Sequence, residues 1–467
     1  MGLTYGLVVI LVIFEGIIIQ CEGTEDAIPL DDKQDPPNLD TEIYQPILPN
    51  DLIEMIISRS NLKTIQRTIR TGIVPATNLI MSRILKDRII EIVPHLKDEI
   101  YEYHYLGDIF VRICNYTKIM SFFNRFGDQV KKIEIRYNST CNNVPHKEIN
   151  QNIIKRYAKN LEELRIRTLD DEAFWKDLSD GGNDIIFPNV KKFQFSSRSL
   201  RNEFKLNRIF PKLEYLKLIG TVADVNCLTN VTGLKELALL TNSIQQHQFD
   251  DIFANNVNIT KLCLSMPNGA EIMRSIAKHL TKLETLEVEF PGVNLLLRAN
   301  NGPIYKLPSV IHFDILFVKF DERILIGNLP FAMPNLKKLT LNGDLIDDRI
   351  VNFINCFVKL EILELLVRKY NVIDCIEKLQ HIKEITVNFH KNGFDALLKN
   401  LFEHFDEKSK LQKLKFVNFD QSLYKTYEHT MKVINIDLKK SMKSIWNISH
   451  GQQIDTFQEY LMFEREP

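Results

Sequence analysis

Residues 282–289 read KLETLEVE, residues 335–342 read NLKKLTLN and residues 359–366 read KLEILELL. Each octet places apolar residues at its second, fifth and seventh positions and mostly polar residues between them. The fifth and seventh residues are two apart, so on an extended strand they share one face while the sixth points the other way. The same octet returns as NLEELRIR from Asn160, KLEYLKLI from Lys212, GLKELALL from Gly233, NITKLCLS from Asn258 and KLQKLKFV from Lys410. Weaker copies are QVKKIEIR (Gln129), NVKKFQFS (Asn189), SVIHFDIL (Ser309), HIKEITVN (His381) and TMKVINID (Thr430).

The first apolar positions of these units are Val130, Leu161, Val190, Leu213, Leu234, Ile259, Leu283, Val310, Leu336, Leu360, Ile382, Leu411 and Met431. Their spacing runs from 20 to 31 residues. Successive strands that far apart can pair in parallel, because the connection has room for a crossover. Several connections carry helical periodicity. In 344–359 (DLIDDRIVNFINCFVK), Leu345, Ile346, Ile350, Phe353, Ile354 and Phe357 recur at helical spacing, and 268–280 and 392–404 read alike. An ordinary parallel sheet covered on both faces would have continuously apolar strands. These strands instead keep Glu134, Arg165, Lys217, Glu287, Asp314, Glu364 and Lys415 at outward positions, so one face is solvated. The expected fold is therefore an α/β solenoid: a curved parallel sheet with helices on the convex side.

The pattern resembles the leucine-rich-repeat family over about Val130 to Ile436. The Pro before the strand in FPNVKKF, FPKLEYL, LPSVIHF and MPNLKKL is similar to the repeats of F-box leucine-rich-repeat proteins. Residues 46–112 read as helices, with Leu52, Met55, Ile56 and Ile57 at helical spacing and further apolar stripes at Leu62–Ile69 and Leu79–Ile92; they are expected to cap the N-terminal edge of the sheet. Within them PILPNDLIEMII resembles the opening of an F-box through Leu48, Pro49, Asp51, Leu52 and Ile56, while the rest of that motif has no counterpart and Pro75 falls near its Trp. That resemblance implies docking of a cullin-type ubiquitin-ligase adaptor through residues 46–90, with the solenoid as substrate receptor.

The first 23 residues hold an apolar core, Leu7 to Phe14, and end Cys21-Glu22-Gly23, which suits a signal-peptidase cut before Thr24; the missing basic n-region and Glu15 depart from that pattern. Residues 24–45 follow as an acidic, Pro-containing linker, and 438–467 form a C-terminal cap or tail after a solenoid at 113–437. Secretion is the expectation, with cytoplasmic residence as the alternative. A secretory signal ahead of F-box-like helices and leucine-rich repeats resembles secreted insect proteins of the parasitoid venom type, which implies binding of a host protein. Cleavage leaves six cysteines, among which Cys114, Cys141, Cys356 and Cys375 are the nearest neighbours in sequence and the disulfide candidates. Sequons stand at Asn115, Asn138, Asn230, Asn258 and Asn447.

Hydrophobic residues make up 45% and charged residues 25%, and the formal net charge is -1, a balance that does not call for nucleic acid or an anionic membrane. No phosphate loop, dinucleotide turn, His-Glu-x-x-His, Cys-x-x-Cys or nucleophile elbow occurs, so neither an enzyme, a cofactor nor a metal is expected. His104 lies among Tyr101, Tyr103 and Tyr105, read as an aromatic helix face. Asp170, Asp171 and Glu172 read as a loop or helix N-terminus, and Glu284, Glu287 and Glu289 as a solvated strand. The candidate site is the outward strand face. Its partner-binding residues are Arg165, Tyr215, Lys217, Glu287, His312, Ile362 and Glu364, set in rows whose charges alternate without a stripe of one sign.

Overall fold

In this computed structural model the described residues are 85–94, 100–105, 108–137, 146–168, 171–178, 185–200, 205–222, 226–240, 246–265, 269–290, 305–317, 331–343, 348–367, 378–379, 381–389, 411–417, 446–453 and 458–465. In chain order the strands are β1 (Arg88–Val93), β2 (Ile100–Tyr105), β3 (Asp108–Cys114), β4 (Lys132–Arg136), β5 (Glu163–Arg167), β6 (Lys192–Leu200), β7 (Tyr215–Val222), β8 (Glu236–Leu240), β9 (Lys261–Ser265), β10 (Thr285–Phe290), β11 (Tyr305–Lys306), β12 (His312–Phe317), β13 (Phe331–Ala332), β14 (Lys338–Gly343), β15 (Ile362–Val367), β16 (Glu384–Phe389), β17 (Lys413–Val417), β18 (Trp446–Gln453) and β19 (Gln458–Arg465). The main helices are α1 (Tyr116–Phe126), α2 (His146–Ile149, continued as a π-turn to Lys155), α3 (Asp171–Leu178), α4 (Leu206–Ile209), α5 (Asn226–Thr229), α6 (Gln246–Asn255), α7 (Gly269–His279) and α8 (Asp348–Asn355).

Among the described residues seventeen strands join one sheet, and β11 with β13 make a separate parallel pair. From β4 the order in the sheet follows the order in the chain, each strand parallel to the next, through β10, β12, β14, β15, β16 and β17. This is the topology of a leucine-rich-repeat solenoid. One backbone device repeats at every step. The carbonyl of Lys131 accepts from the N–H groups of both Glu162 and Glu163, that of Glu162 from Lys191 and Lys192, and so on to Lys383, which accepts from Gln412 and Lys413. A bifurcated bond at each strand entry fixes the stagger between neighbours without any side-chain requirement.

The apolar positions do what their spacing demands. The first apolar residue of each unit from Val130 to Leu411 is buried, and so are the paired strand residues Ile133 and Ile135, Leu216 and Leu218, Leu286 and Val288, and Leu363 and Leu365. Each fully buried side chain of this kind contributes roughly 1.5–3 kcal/mol relative to exposure. The residues ahead of the recurring Pro, Phe187, Phe210, Leu307 and Met333, are buried as well. Aromatic side chains fill the core around β6: Trp175 of α3 lies 6.2 Å from Phe193 and 5.8 Å from Phe195, and Phe210 stacks on Phe193 at 4.3 Å. Those contacts place α3 on the apolar face of β6; among the described residues the opposite face carries the polar strand positions.

Polar side chains tie the units together. Buried Asn256 donates to the carbonyls of Val231 and Ile252 and accepts from the N–H of Leu234, so one amide satisfies three backbone groups of two units. At the strand entries, Asn189, Asn258 and Asn335 each accept from a lysine of the next unit, Lys212, Lys282 and Lys359. At Gly220 (φ 125°) the backbone passes so close to the Ser197 carbonyl that no Cβ fits, where the β6–β7 register shifts.

The ends of the ladder differ from the sequence expectation. Within 46–112, residues 88–93, 100–105 and 108–112 are strands and not helices. β1 lies parallel between β3 and β4, and β2 folds back antiparallel on β3, with Tyr105 opposite Asp108. Among the described residues an antiparallel hairpin therefore stands at this edge and Tyr103 lies on a strand; the helices expected over 46–84 lie outside the described residues. The apolar stripe over Leu79–Ile92 misled because a fully buried short strand is as continuously apolar as a buried helix. β1 has every one of its six residues buried. At the other end β19 pairs antiparallel with β17, and β18 with β19. The slot beside β17 that a thirteenth parallel strand would take is thus occupied, and the unit at Met431 lies outside the described residues. The helices expected over 344–359 and 268–280 are present as α8 and α7; the one at 392–404 lies outside the described residues.

Candidate functional site: the open face of the sheet

Strand register lines up the outward residues in two unbroken rows. One runs Lys132, Glu163, Lys192, Tyr215, Glu236, Lys261, Thr285, His312, Lys338, Ile362, Glu384 and Lys413. The other runs Glu134, Arg165, Gln194, Lys217, Ala238, Cys263, Glu287, Asp314, Thr340, Glu364, Thr386 and Lys415. All seven candidate binding residues stand in these rows. Neighbouring strands lie about 4.8 Å apart, so adjacent members can touch.

At the β1–β5 end the face carries a dense charged network. Glu91, register partner of Glu134, is fully buried; it pairs with Arg112 and with Arg136 Nε at 2.6 Å, and it accepts from the Tyr103 hydroxyl at 2.8 Å. Glu134, also fully buried, pairs with Arg136 at 2.8 Å and Arg167 at 3.0 Å. Arg165 reaches Glu163 at 2.5 Å and Asp108 at 2.6 Å. Tyr103 stacks on Phe110 at 5.0 Å with Arg112 over its ring, which covers the apolar floor of this corner. Burial, reinforced by Glu91, pushes the Tyr103 hydroxyl up to about 12. Burial works against the charge of Arg165, yet Glu163 and Asp108 outweigh it and raise its pKa. Sequence reading missed Glu91, Asp108 and Arg112 and set Tyr103 on an aromatic helix face because it read this stretch as helical; the β-branched run DIFVRIC was the signal for a strand.

Toward the middle the pairs become diagonal. Lys261 sits 2.6 Å from Glu287, and Lys338 sits 2.8 Å from Glu364, which also accepts from the Thr340 hydroxyl at 3.3 Å. His312 Nε2 lies 2.8 Å from Asp314. Burial acts to raise the Asp314 carboxyl, but His312, Thr340 and Lys338 together hold it below the usual carboxylate range. Cys263 is buried among these groups; burial first and Glu287 second push its thiol up to about 12. Tyr215 and Ile362 are half-exposed on this polar face, and burial raises the Tyr215 hydroxyl to about 12.

Charge along the rows is sorted and does not simply alternate. Including the third outward residue where described, β4–β7 present six cations (Lys132, Arg136, Arg165, Arg167, Lys192, Lys217) and two carboxylates (Glu134, Glu163). From β8 to β15 there are two lysines (Lys261, Lys338) against five carboxylates (Glu236, Glu287, Glu289, Asp314, Glu364). The sign changes between Tyr215 and Glu236.

Other candidates fall as follows. Asn115 begins α1 at φ 69°, with its Oδ1 accepting from Thr117 N–H, while Asn230 and Asn258 are exposed and Asn447 lies in β18. Cys114 is buried; Cys356 carries an exposed free thiol that donates to the Asn352 carbonyl. Asp171 opens α3. Leu48, Pro49, Leu52, Ile56, Asn138, Cys141 and Cys375 lie outside the described residues. Among the described residues no group of three His, Cys, Asp or Glu could hold a metal ion, and no helix is long and apolar enough to cross a membrane.

No family model matches the chain, and no curated protein matches it. Among solved structures it is similar to an internalin (inlF) from Listeria monocytogenes, at 17% identity over 56% of this chain and 68% of that one, with a TM-score of 0.30. It is also similar to TLR13 in its complex with ssRNA13, at 12% identity, TM-score 0.29, over 72% of this chain and 56% of that one.

Proposed function

We propose that the chain is a secreted, non-enzymatic leucine-rich-repeat protein that binds a partner protein through the open face of its sheet. The observation that carries this reading is the pair of unbroken rows: twelve strands present mostly polar side chains, with Tyr215, Ala238 and Ile362 among them, on one side, while the buried apolar side chains are turned to the other. Half-exposed Tyr215 and Ile362, among charged side chains, supply the amphipathic and apolar anchors that concentrate interface energy. Secretion rests on the apolar segment and cleavage pattern before Thr24. The alternative, a ubiquitin-ligase substrate receptor docking its adaptor through residues 46–90, rests on the F-box-like opening PILPNDLIEMII and on the Pro before the strand in four repeats.

A photo-crosslinking residue placed at Tyr215 or Ile362 is expected to trap a partner that the same residue at Arg274, exposed on α7, does not. Equal trapping from both sides would overturn the choice of face. Secretion requires a mature N-terminus at Thr24 and glycan on the secreted protein; an intact Met1 form recovered solely from cytosol would sink it.

A further inference from the structure

We infer that the β4–β7 sector of the open face takes an acidic, extended segment of the partner. The inference rests on the open-face reading and adds the chemistry of the ligand. Arginines and lysines divide the labour here. Arg136, Arg165 and Arg167 are engaged with the buried carboxylates Glu134 and Glu163 and with Asp108 and Glu91, all at 3.0 Å or less. Lys132, Lys192 and Lys217 are left over. None has an ion-pair partner among the described residues; Lys192 is exposed and the other two are half-exposed.

The leftover charge sits in a fixed pattern. Lys132 and Lys192 occupy the same row two strands apart, and Lys217 lies diagonal to Lys192 on the adjoining strand. With strands about 4.8 Å apart, Lys132 and Lys192 start about 10 Å apart. A chain crossing the strands in extended form presents side chains on one side about 7 Å apart, a spacing that flexible lysines can meet. Gln194 and Tyr215, between and beside the lysines, offer an amide and a phenol for the peptide backbone. The carboxylate-rich stretch from β8 onward repels an acidic segment and so bounds the sector on one side.

The test uses the full chain and a fluorescein-labelled peptide of alternating Glu and Ser, with the Lys-Ser peptide and a single-stranded oligothymidylate as competitors for the assignment. The acidic peptide is expected to bind with an affinity that falls as salt rises. The triple variant Lys132→Glu, Lys192→Glu, Lys217→Glu should weaken it by about tenfold or more. The triple Gln variant, which removes charge without reversing it, should show an intermediate loss with an unchanged melting temperature. Reversal of Glu236, Glu287 and Glu364 to Lys should not weaken it. The inference is overturned if the acidic peptide binds wild type and the charge-reversed variant equally, or if the oligothymidylate binds more tightly at the same salt. Should a natural partner crosslink at Tyr215 yet ignore both lysine variants, the open face would stand as the binding surface and the acidic segment would fall.

Discussion

Arg136 Nε lies 2.6 Å from Glu91 Oε1 and 2.8 Å from Glu134 Oε1, so one guanidinium serves two fully buried carboxylates that face each other on adjacent strands. Those carboxylates would repel one another without it. Glu91 is the joint between the β1–β3 end and the repeats, because it also holds Arg112 and Tyr103. Replacing Glu91 by Ala removes the carboxylate that Arg112 and Arg136 share, while Arg136 keeps Glu134, and loss of one partner of a buried pair costs up to about 3–5 kcal/mol. Urea unfolding of Glu91→Ala should show that loss, whereas a variant at exposed Glu361 should lie within about 0.5 kcal/mol of wild type.

A Cβ at Gly127 would stand 2.3 Å from the Tyr157 ring, whose hydroxyl donates to the Phe123 carbonyl at 2.7 Å. The ring is pinned at its far end and cannot easily swing away. Gly127→Ala should therefore destabilise the protein by about 1–3 kcal/mol, the usual cost of overpacking, as read from a lower melting temperature.

Asn256→Ala removes an amide that satisfies Val231 O, Ile252 O and Leu234 N–H in a site only 2% exposed. Each backbone group left unsatisfied there costs about 1–3 kcal/mol. Faster hydrogen exchange at Leu234, with a loss of global stability, is the expected signature.

Asp314 gives the acid limb of the stability curve a direction. Its folded pKa is depressed below an unfolded value of about 3.9, so its contribution is fully present above that value and is lost as pH falls through the folded one. Wild type should lose stability below about pH 4 more steeply than Asp314→Asn, with the two curves parallel near neutrality. Curves parallel throughout would show that the ionisation of Asp314 contributes nothing to stability.

Cys263 and Cys356 should separate chemically. With its thiol held near 12 by burial and Glu287, Cys263 carries almost no thiolate at neutral pH, while Cys356 is exposed. Peptide mapping after brief alkylation of the native protein should find Cys356 modified and Cys263 intact.

Much of this molecule follows from spacing. A residue two positions from the next on a strand must share its face, and a step of 20 to 31 residues leaves room for a crossover, so both outward rows from β4 to β17 could be written from the sequence alone. What spacing could not supply lies at the ends and in the pairing. Six buried residues such as RIIEIV are apolar enough to pass for part of a helix, and only the parallel neighbours β3 and β4 make them a strand. Likewise a row of Lys, Glu and Arg looks evenly mixed until tertiary contacts decide which charges neutralise one another. Glu134 and Glu163 are consumed by arginines beside them, while Lys132, Lys192 and Lys217 keep their charge for solvent or a partner. Residue order determines which side chains reach the open face; burial and pairing, which depend on every neighbouring strand, decide which of them remain available.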